Sequence, residues 1–475
     1  YYINRDALFS FHKAAEIFLS NLMSIYVAAH YKNSPDDLQL LSDAPAHHLF
    51  VLMSPISSDQ NYVPQIMAVI QLCLEGAIPK QTFQAKQGKR VAGDLIPWTI
   101  SQQFLDSEFS FLYGARIVRL AVHPDFQGMG YGTAAIKMLQ KYFRGEFGPV
   151  ENGNLEKKES NNKVIEAMEG VEEEEEEEDE GSFAPRTNLP PLLERLKERK
   201  FESLDYIGVS FGLTLPLLKF WKRSNFIPVY IGQGKNELTG EHNCIMINTI
   251  CIKNEEKDQL DLISPTINSD GTWIFSFFEE FKRRFISLLG SCFSNFSPHM
   301  AFSLLCMNST GGFDSNLQNN KIKCLFETFL PEKQKLLSRQ ELNFRLSDID
   351  LLRLSHYSRN MTDFNLISDL LPTIADLYFN GRLKGEQNSS SFLLDLGQAA
   401  ILLGVGLQRK SVNAVAKELD LPVDQGYALL NKAIRRLSNH FDTICRDSIE
   451  LDSIMEEQPE SKHKRIRVSH FEVNE

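Results

Sequence analysis

No two of the seven cysteines form a C-x-x-C pair; Cys73, Cys244, Cys251, Cys292, Cys306, Cys324 and Cys445 lie scattered. That scatter argues against a zinc site and against a disulfide framework, and points to a reducing compartment. No apolar run approaches the roughly 20 residues that a membrane-spanning helix needs. No G-x-x-x-x-G-K-[ST] phosphate loop occurs either: Gly232-Gln233-Gly234-Lys235 comes nearest, but Asn236 follows it and the glycine spacing is wrong. The chain begins at Tyr1, with neither a methionine nor the charged and apolar regions of a secretion signal, so a fragment is expected. A strong charge imbalance is missing too. The formal net charge is −12, yet the unbroken run from Glu172 to Glu180 alone carries nine negative charges, so acidity says little about partners.

What is present is 475 residues, 43% hydrophobic and 24% charged, an ordinary globular composition long enough for two domains. The most informative stretch is Arg116 to Phe143, RIVRLAVHPDFQGMGYGTAAIKMLQKYF. Ile117, Val118, Leu120 and Val122 read as a strand, His123-Pro124-Asp125 as a break, and Ile136, Leu139 and Phe143 as one face of a helix. Between break and helix lie Gly128, Gly130 and Gly132. Glycines before a helix N-terminus let backbone N–H groups close on an anion, which the unpaired first-turn amides and the helix dipole favour. A dinucleotide loop would need G-x-G-x-x-G with an acidic residue about 20 positions on; a nucleotide triphosphatase would need lysine where Thr133 stands. Neither pattern fits, and a glycine-rich turn without a ligand is the alternative.

Around this core the chain reads as an α/β domain with a mixed sheet over residues 1–260, then a mainly helical domain over 261–450 and a basic tail over 451–475. Phe9 to Tyr31 predicts one or two helices, and His47 to Met53 and Gln65 to Glu75 predict strands. Arg144 to Pro190 holds the acidic run and few aromatics, which predicts a disordered insertion. Leu204 to Ser210, Thr214 to Asn225, Phe226 to Gly232 and Asn243 to Ile250 read strand, helix, strand, strand. From Trp273 helices follow: a first over IFSFFEEFKRRFISLLGSCF, then, beyond a linker at Asn308 to Asn320, Leu336 to Leu354, Asn365 to Asn380 and Phe392 to Leu407. Val412 to Leu437 reads helix, turn, helix, with Lys432, Arg435 and Arg436 near its end.

Gln127-x-x-Gly130-x-Gly132 behind Leu120-Ala121-Val122 resembles the acetyl-CoA pyrophosphate loop of GNAT acetyltransferases. Longer blocks narrow the resemblance: YYINRDALF, AAHYKNSPDDLQLLSDAPAHHLF, GDLIPWTI, LDYIGVSFGLT, LLKFWKRSNFIPVYI, LTGEHNCIMI and SRNMTDFNLI. Together they resemble the eukaryotic RNA cytidine acetyltransferases over most of the chain, from Tyr1 to about Asp442. The resemblance implies a GNAT domain followed by a helical RNA-binding domain, and formation of N4-acetylcytidine in small-subunit rRNA and some tRNAs from acetyl-CoA and ATP. It also implies a role in ribosome biogenesis, nucleolar location in the nucleus, a tRNA adaptor protein and a guide snoRNA; a homodimer is left open. ATP in that family is held by a helicase-like module N-terminal to the GNAT domain, and no such motif occurs here.

By motif, Leu120, Ala121 and Val122 face the acetyl and pantetheine portion, Gln127, Gly128, Met129, Gly130, Tyr131, Gly132 and Thr133 wrap the pyrophosphate, and Arg223 matches a further acetyl-CoA contact. A guanidinium can clamp phosphate oxygens bidentately; a surface cation at a helix end is the plainer alternative. Cytosine's amine is a poor nucleophile and needs a base, for which His30 in the AAHYK block is the candidate, ahead of His47, His48 and His242. Many GNAT enzymes place a tyrosine acid where this chain has Phe220-Trp221, which leaves the acid unassigned. Lys282, Arg283 and Arg284, and then Lys432, Arg435 and Arg436, are the candidate RNA phosphate holders. Two other functions stay open: a protein lysine acetyltransferase on the same fold, and a DNA-binding scaffold built on the helix-turn-helix reading of Val412 to Leu437.

Overall fold

The computed structural model describes residues 1–28, 35–54, 64–82, 93–147, 189–250, 273–306, 337–383 and 392–456. The acidic insertion, the linker after Asn308, the end of the tail and His30 fall outside them. Two compact units result, one reaching Phe281 and one starting at Lys282.

The first unit opens with β1 (Tyr2–Ile3), α1 (Arg5–Leu8), α2 (Lys13–Ala28), α3 (Pro35–Asp43), β2 (His47–Met53), β3 (Ile66–Gly76) and α4 (Leu95–Phe104). It continues through β4 (Tyr113–Val122), α5 (Tyr131–Phe143), β5 (Leu193–Glu194), β6 (Tyr206–Gly212), α6 (Leu215–Arg223), β7 (Ile227–Lys235) and β8 (His242–Thr249). The strands form one mixed sheet in the order β5-β1-β2-β3-β4-β6-β8-β7. Among the described residues only β4 and β6 pair in parallel; every other neighbour is antiparallel. The expected α/β domain with a mixed sheet is therefore what forms, with each predicted strand in place within three residues.

Because successive strand residues face opposite sides of a sheet, β2 shows how its faces are covered. Val51 belongs to a buried cluster with Phe18, Leu22 and Ile25 of α2. Phe50, next to it, meets Tyr142 and Phe143 of α5 at ring distances of 6.0 and 6.3 Å. So α2 covers one face and α5 the other. A separate cluster around Tyr206, Val229, Ile245 and Ile247 takes in Ile96 and Ile100 of α4.

A long helix, α7 (Trp273–Leu288), holds the division between the units. Its first turns belong to the sheet unit, since Trp273 and Phe277 lie 5.8 and 5.4 Å from the ring of Phe109. That packing carries the first unit past residue 260. The second unit is helical, as expected, but more finely divided: α8 (Pro298–Leu305), α9 (Arg339–Arg345), α10 (Asp348–Ser358), α11 (Leu371–Phe379), α12 (Leu396–Leu402), α13 (Val412–Glu418) and α14 (Val423–Glu456). The single helix expected over 336–354 is split because Ser347 starts a new one, its hydroxyl accepting from Asp350 N while the Asp350 carboxylate accepts from the Ser347 N–H. α14 does not stop near Arg436 but runs on to Glu456.

Candidate cofactor site

The site begins with a local irregularity of β4. Its register against β3 runs Gln71↔Arg119 and then Leu72↔Ile117, so Val118 is an extra residue on β4. Such a bulge bends its strand and sharpens the twist. On the other flank β6 pairs only Gly114 to Ile117, ending at Ile117↔Val209. The parallel pairing stops one residue before the bulge, although β4 continues to Val122 and β6 continues beside β8 to Gly212↔Asn243. Two strands that part this way leave a wedge, and Leu120, Ala121 and Val122 lie along its edge. The Ala121 methyl is buried in the α2 cluster, which leaves the backbone of this segment as what it can offer a ligand.

Directly after Val122 the chain turns. His123 N–H donates to Met67 O at 2.9 Å, and His123 Nδ1 accepts from Asp125 N at 3.3 Å; this histidine shapes the turn. Gln127 Nε2 reaches back to Val122 O at 3.3 Å and ties the loop to the strand. Gly128 and Gly130 take φ of +79° and +92°, and a Cβ built on either would meet nothing within 4 Å. The left-handed conformation demands glycine at both positions, and the space beyond them is open. Gly130 is the N-cap of α5, whose first helical bond runs from Ala134 N to Gly130 O at 2.9 Å. The amides of Tyr131, Gly132 and Thr133 precede that bond and lie outside the helical ladder. They form the positive end of a 13-residue helix. Gly132 has another role: its Cβ would lie 3.3 Å from Val122 Cγ2 and 3.5 Å from the Phe220 ring, so it admits α6 close beside α5. The predicted run from Gln127 to Thr133 is thus one continuous turn between β4 and α5, with Met129 on its exposed rim and the N–H groups of Gln127 and Met129 donating to Pro124 O and Phe126 O.

α6 supplies the remaining predicted residue. Gln140 Nε2 donates to Ser224 O at 2.8 Å, which holds the end of α6 against α5. Arg223 stands exposed there, while Lys222 and Trp221 are buried. Trp221 packs on Phe226 at 5.0 Å, and its indole N–H has no hydrogen-bond partner among the described residues. The position that holds a tyrosine acid in many relatives of this fold is thus filled by a packing residue.

His30 lies outside the described residues, two beyond the end of α2. The weaker histidine candidates are all engaged. Burial, with help from the Arg116 charge, pushes His47 down to about 4, and its Nδ1 lies 2.8 Å from Gln71 Nε2. His48 is lowered by burial and faces Tyr2 OH at 3.3 Å; His242 is buried with Nδ1 donating to Gly232 O at 2.9 Å. A polar network that motif reading does not reach starts from His47. Gln71 accepts from Tyr26 OH at 2.6 Å, and the Arg119 guanidinium lies 3.9 Å from the Tyr26 ring centre while donating to Tyr26 O and Asp37 Oδ2 at 3.3 Å. It fastens the C-terminal end of α2 to the strand that lines the wedge. The signal in the sequence was a glutamine and an arginine inside apolar strand runs.

In the helical unit the two predicted cation groups separate. Lys282 is 5% exposed, Arg283 is exposed and Arg284 intermediate. Three consecutive helical residues point about 100° apart, so they do not make one patch. Arg436 donates to Leu393 O at 2.5 Å and Gln398 Oε1 at 3.2 Å, and Lys432 lies 3.8 Å from Asp395. These two brace the segment before α12. Arg435 is exposed and donates through Nε to Ser358 O at 3.0 Å.

Known proteins resemble this chain along nearly its whole length. The family profile for GNAT acetyltransferase 2 matches residues 21–251, and a profile described as "Possible tRNA binding domain" matches residues 273–474. The RNA cytidine acetyltransferase of Homo sapiens is 45% identical over 453 residues, 95% of this chain and 40% of that protein. That of Caenorhabditis elegans is 45% identical over 451 residues, 94% of this chain and 40% of its own. That of Saccharomyces cerevisiae is 40% identical over 451 residues, 94% and 39%. The chain thus spans about 40% of the length of these relatives.

Proposed function

The chain belongs to the RNA cytidine acetyltransferase family, and from that premise we propose that it transfers the acetyl group of acetyl-CoA to the N4 amine of cytidine in RNA. The observation that carries the reading is the wedge between β4 and β6 opening directly onto the Gly128–Gly130 cradle. These residues fit the cofactor. Open space at two left-handed glycines and the free first-turn amides of α5 suit a pyrophosphate, and the unpaired edge of Leu120 to Val122 suits an amide-bearing chain lying along it. Bound there, acetyl-CoA would supply an activated thioester.

The other tasks fall to this chain's own groups. The Arg119–Tyr26–Gln71 network holds the end of α2, just before the block containing His30, which we assign as the base that takes the proton from N4. His47, held near 4, is too weak a base for that work at neutral pH. Arg223 is assigned to the cofactor's phosphates. Water is assigned as the acid for the departing thiolate. We place the substrates in small-subunit rRNA and some tRNAs, with a tRNA adaptor and a guide snoRNA as partners, in the nucleolus, with a role in ribosome biogenesis; ATP use is assigned to no residue of this chain.

The test is transfer of radiolabelled acetyl from acetyl-CoA to total RNA with nucleoside analysis, run beside lysine peptides, for the chain and for Gly132→Glu. Labelled N4-acetylcytidine that disappears in the variant supports the reading. Label in peptide lysine and none in RNA moves the acceptor to protein.

A further inference from the structure

The block SRNMTDFNLI has no part in the cofactor site, and α14 places a stripe of residues against it. Tyr427, Asn431 and Arg435 are spaced four apart and so lie on one side of the helix. Asn431 Oδ1 accepts from Tyr357 OH, and Arg435 Nε donates to Ser358 O at 3.0 Å. The Phe364 ring stands between two tyrosines, 6.5 Å from Tyr357 and 6.3 Å from Tyr427, edge-on to the latter at 88°. At the end of α10 Asn360 takes a φ of +59°, and Met361 N–H donates back to His356 O at 3.0 Å, which ends the helix between Arg359 and Met361. The surface of this corner is open: Met361 is 63% and Tyr427 38% exposed. Arg359 is exposed too and makes no ion pair with a described residue, while Arg435 spends only Nε. The Asp363 carboxylate in the same turn is committed locally, accepting from Phe364 N at 2.6 Å and Asn365 Nδ2 at 2.9 Å.

We propose that this corner, Arg359, Met361, Phe364, Tyr427 and Arg435, is a docking site for an unpaired base of RNA and the phosphates beside it. The proposal rests on the RNA reading above and names the surface that serves it. An exposed aromatic held edge-on by a neighbouring ring, as Phe364 holds Tyr427, is a stacking platform, and every base has a face to lay on it. Two guanidiniums with unspent N–H groups suit phosphate oxygens. An apolar peptide would fit this corner poorly, since it would strip water from both guanidiniums without repaying them. Duplex RNA keeps its bases stacked inside, so the site selects single-stranded loops.

The experiment is fluorescence anisotropy of a labelled RNA hairpin with an unpaired loop, and of the same sequence fully paired, titrated with the 475-residue chain at several salt concentrations. The hairpin binds more tightly than the duplex. Tyr427→Ala weakens hairpin binding roughly fivefold to a hundredfold with no change in salt slope, and Tyr427→Phe restores it. Arg359→Ala and Arg435→Ala each weaken it and lower the slope by about 0.7. Arg345→Ala, an exposed cation on α9, changes little. Hairpin affinity unchanged in Tyr427→Ala overturns the site while leaving acetyl transfer to RNA standing; so does a variant that binds RNA normally but loses a protein partner. A wild-type chain that neither binds nor acetylates RNA overturns both readings.

Discussion

Replacing Gly130 by alanine isolates what the cradle contributes. The residue sits at φ +92° and ψ 0°, and its added methyl would meet nothing within 4 Å. No clash therefore arises, and the whole effect is backbone strain. A left-handed non-glycine residue costs about 1–2 kcal/mol. Without ligand the loop can relax toward negative φ and shed part of that cost, but then the turn leading into α5 changes shape. Binding has to restore the left-handed turn, so the dissociation constant for acetyl-CoA should rise roughly fivefold to thirtyfold, the same energy at about 1.4 kcal/mol per tenfold. Isothermal titration calorimetry reads this directly. Gly93→Ala is the control: φ is +84° and its Cβ space is equally empty, yet it lies outside the cradle before α4. It should lower thermal stability and leave the affinity alone. An unchanged dissociation constant in Gly130→Ala, or an equal rise in Gly93→Ala, would refute a cradle shaped by backbone conformation.

Three further outcomes are expected. Tyr206 is fully buried and its hydroxyl has no partner among the described residues, so Tyr206→Phe should match or exceed wild-type stability in urea unfolding; a loss above about 2 kcal/mol would show that the hydroxyl is satisfied. Gly406→Ala should destabilise the helical unit by about 1–3 kcal/mol, because its Cβ would lie 2.9 Å from the Leu371 carbonyl oxygen and 2.6 Å from Ala375 Cβ; an unchanged melting temperature would contradict that packing. His47 is neutral in the fold and lowered to about 4, whereas unfolded it titrates near 6.5, so the unfolded chain binds the extra proton between those values. Stability from this source is complete above about pH 6.5 and is lost as pH falls toward 4. His47→Gln should flatten that part of the melting-temperature profile, and an unaltered slope would assign the loss to other groups.

Much of this is legible in the sequence. The strand alternation in RIVRLAV, the break at Pro124 and three glycines before an amphipathic run are local signals, and they yielded β4, the loop and α5 nearly to the residue. The bulge at Val118 was not legible, because register depends on which strand lies alongside, and Gln71 and Leu72 were unassigned to any neighbour. The surroundings of the cations are illegible for the same reason. Lys282, Arg283 and Arg284 look like one patch in a line of text, but helical rotation sends one of them inward. Lys432 and Arg436 find Asp395, Gln398 and Leu393 only once α12 is packed on α14. The split of the helix over 336–354 is not legible because Ser347 reads as one polar residue among others until its capping partner Asp350 closes on it.

The sheet of the first unit carries a mechanical consequence. One side, β5-β1-β2-β3-β4, is laced throughout by antiparallel ladders, as is the other, β6-β8-β7; the join between them is a short parallel run of four residue pairs. That join is the one place among the described residues where the central strands pair in parallel, and the wedge is its continuation. A ligand lying there would bridge the two lips, like a keystone, closing a fissure that the backbone leaves unfinished. Ligand binding linked to the folded state adds stability in proportion to the logarithm of ligand concentration over the dissociation constant. Here that gain should be concentrated at the join, so amide exchange along Val118 to Val122 and Ser210 to Gly212 should slow on binding far more than exchange in β2 or β8. The wedge would then double as the domain's adjustable suture, tighter with a ligand bound along it and looser without one.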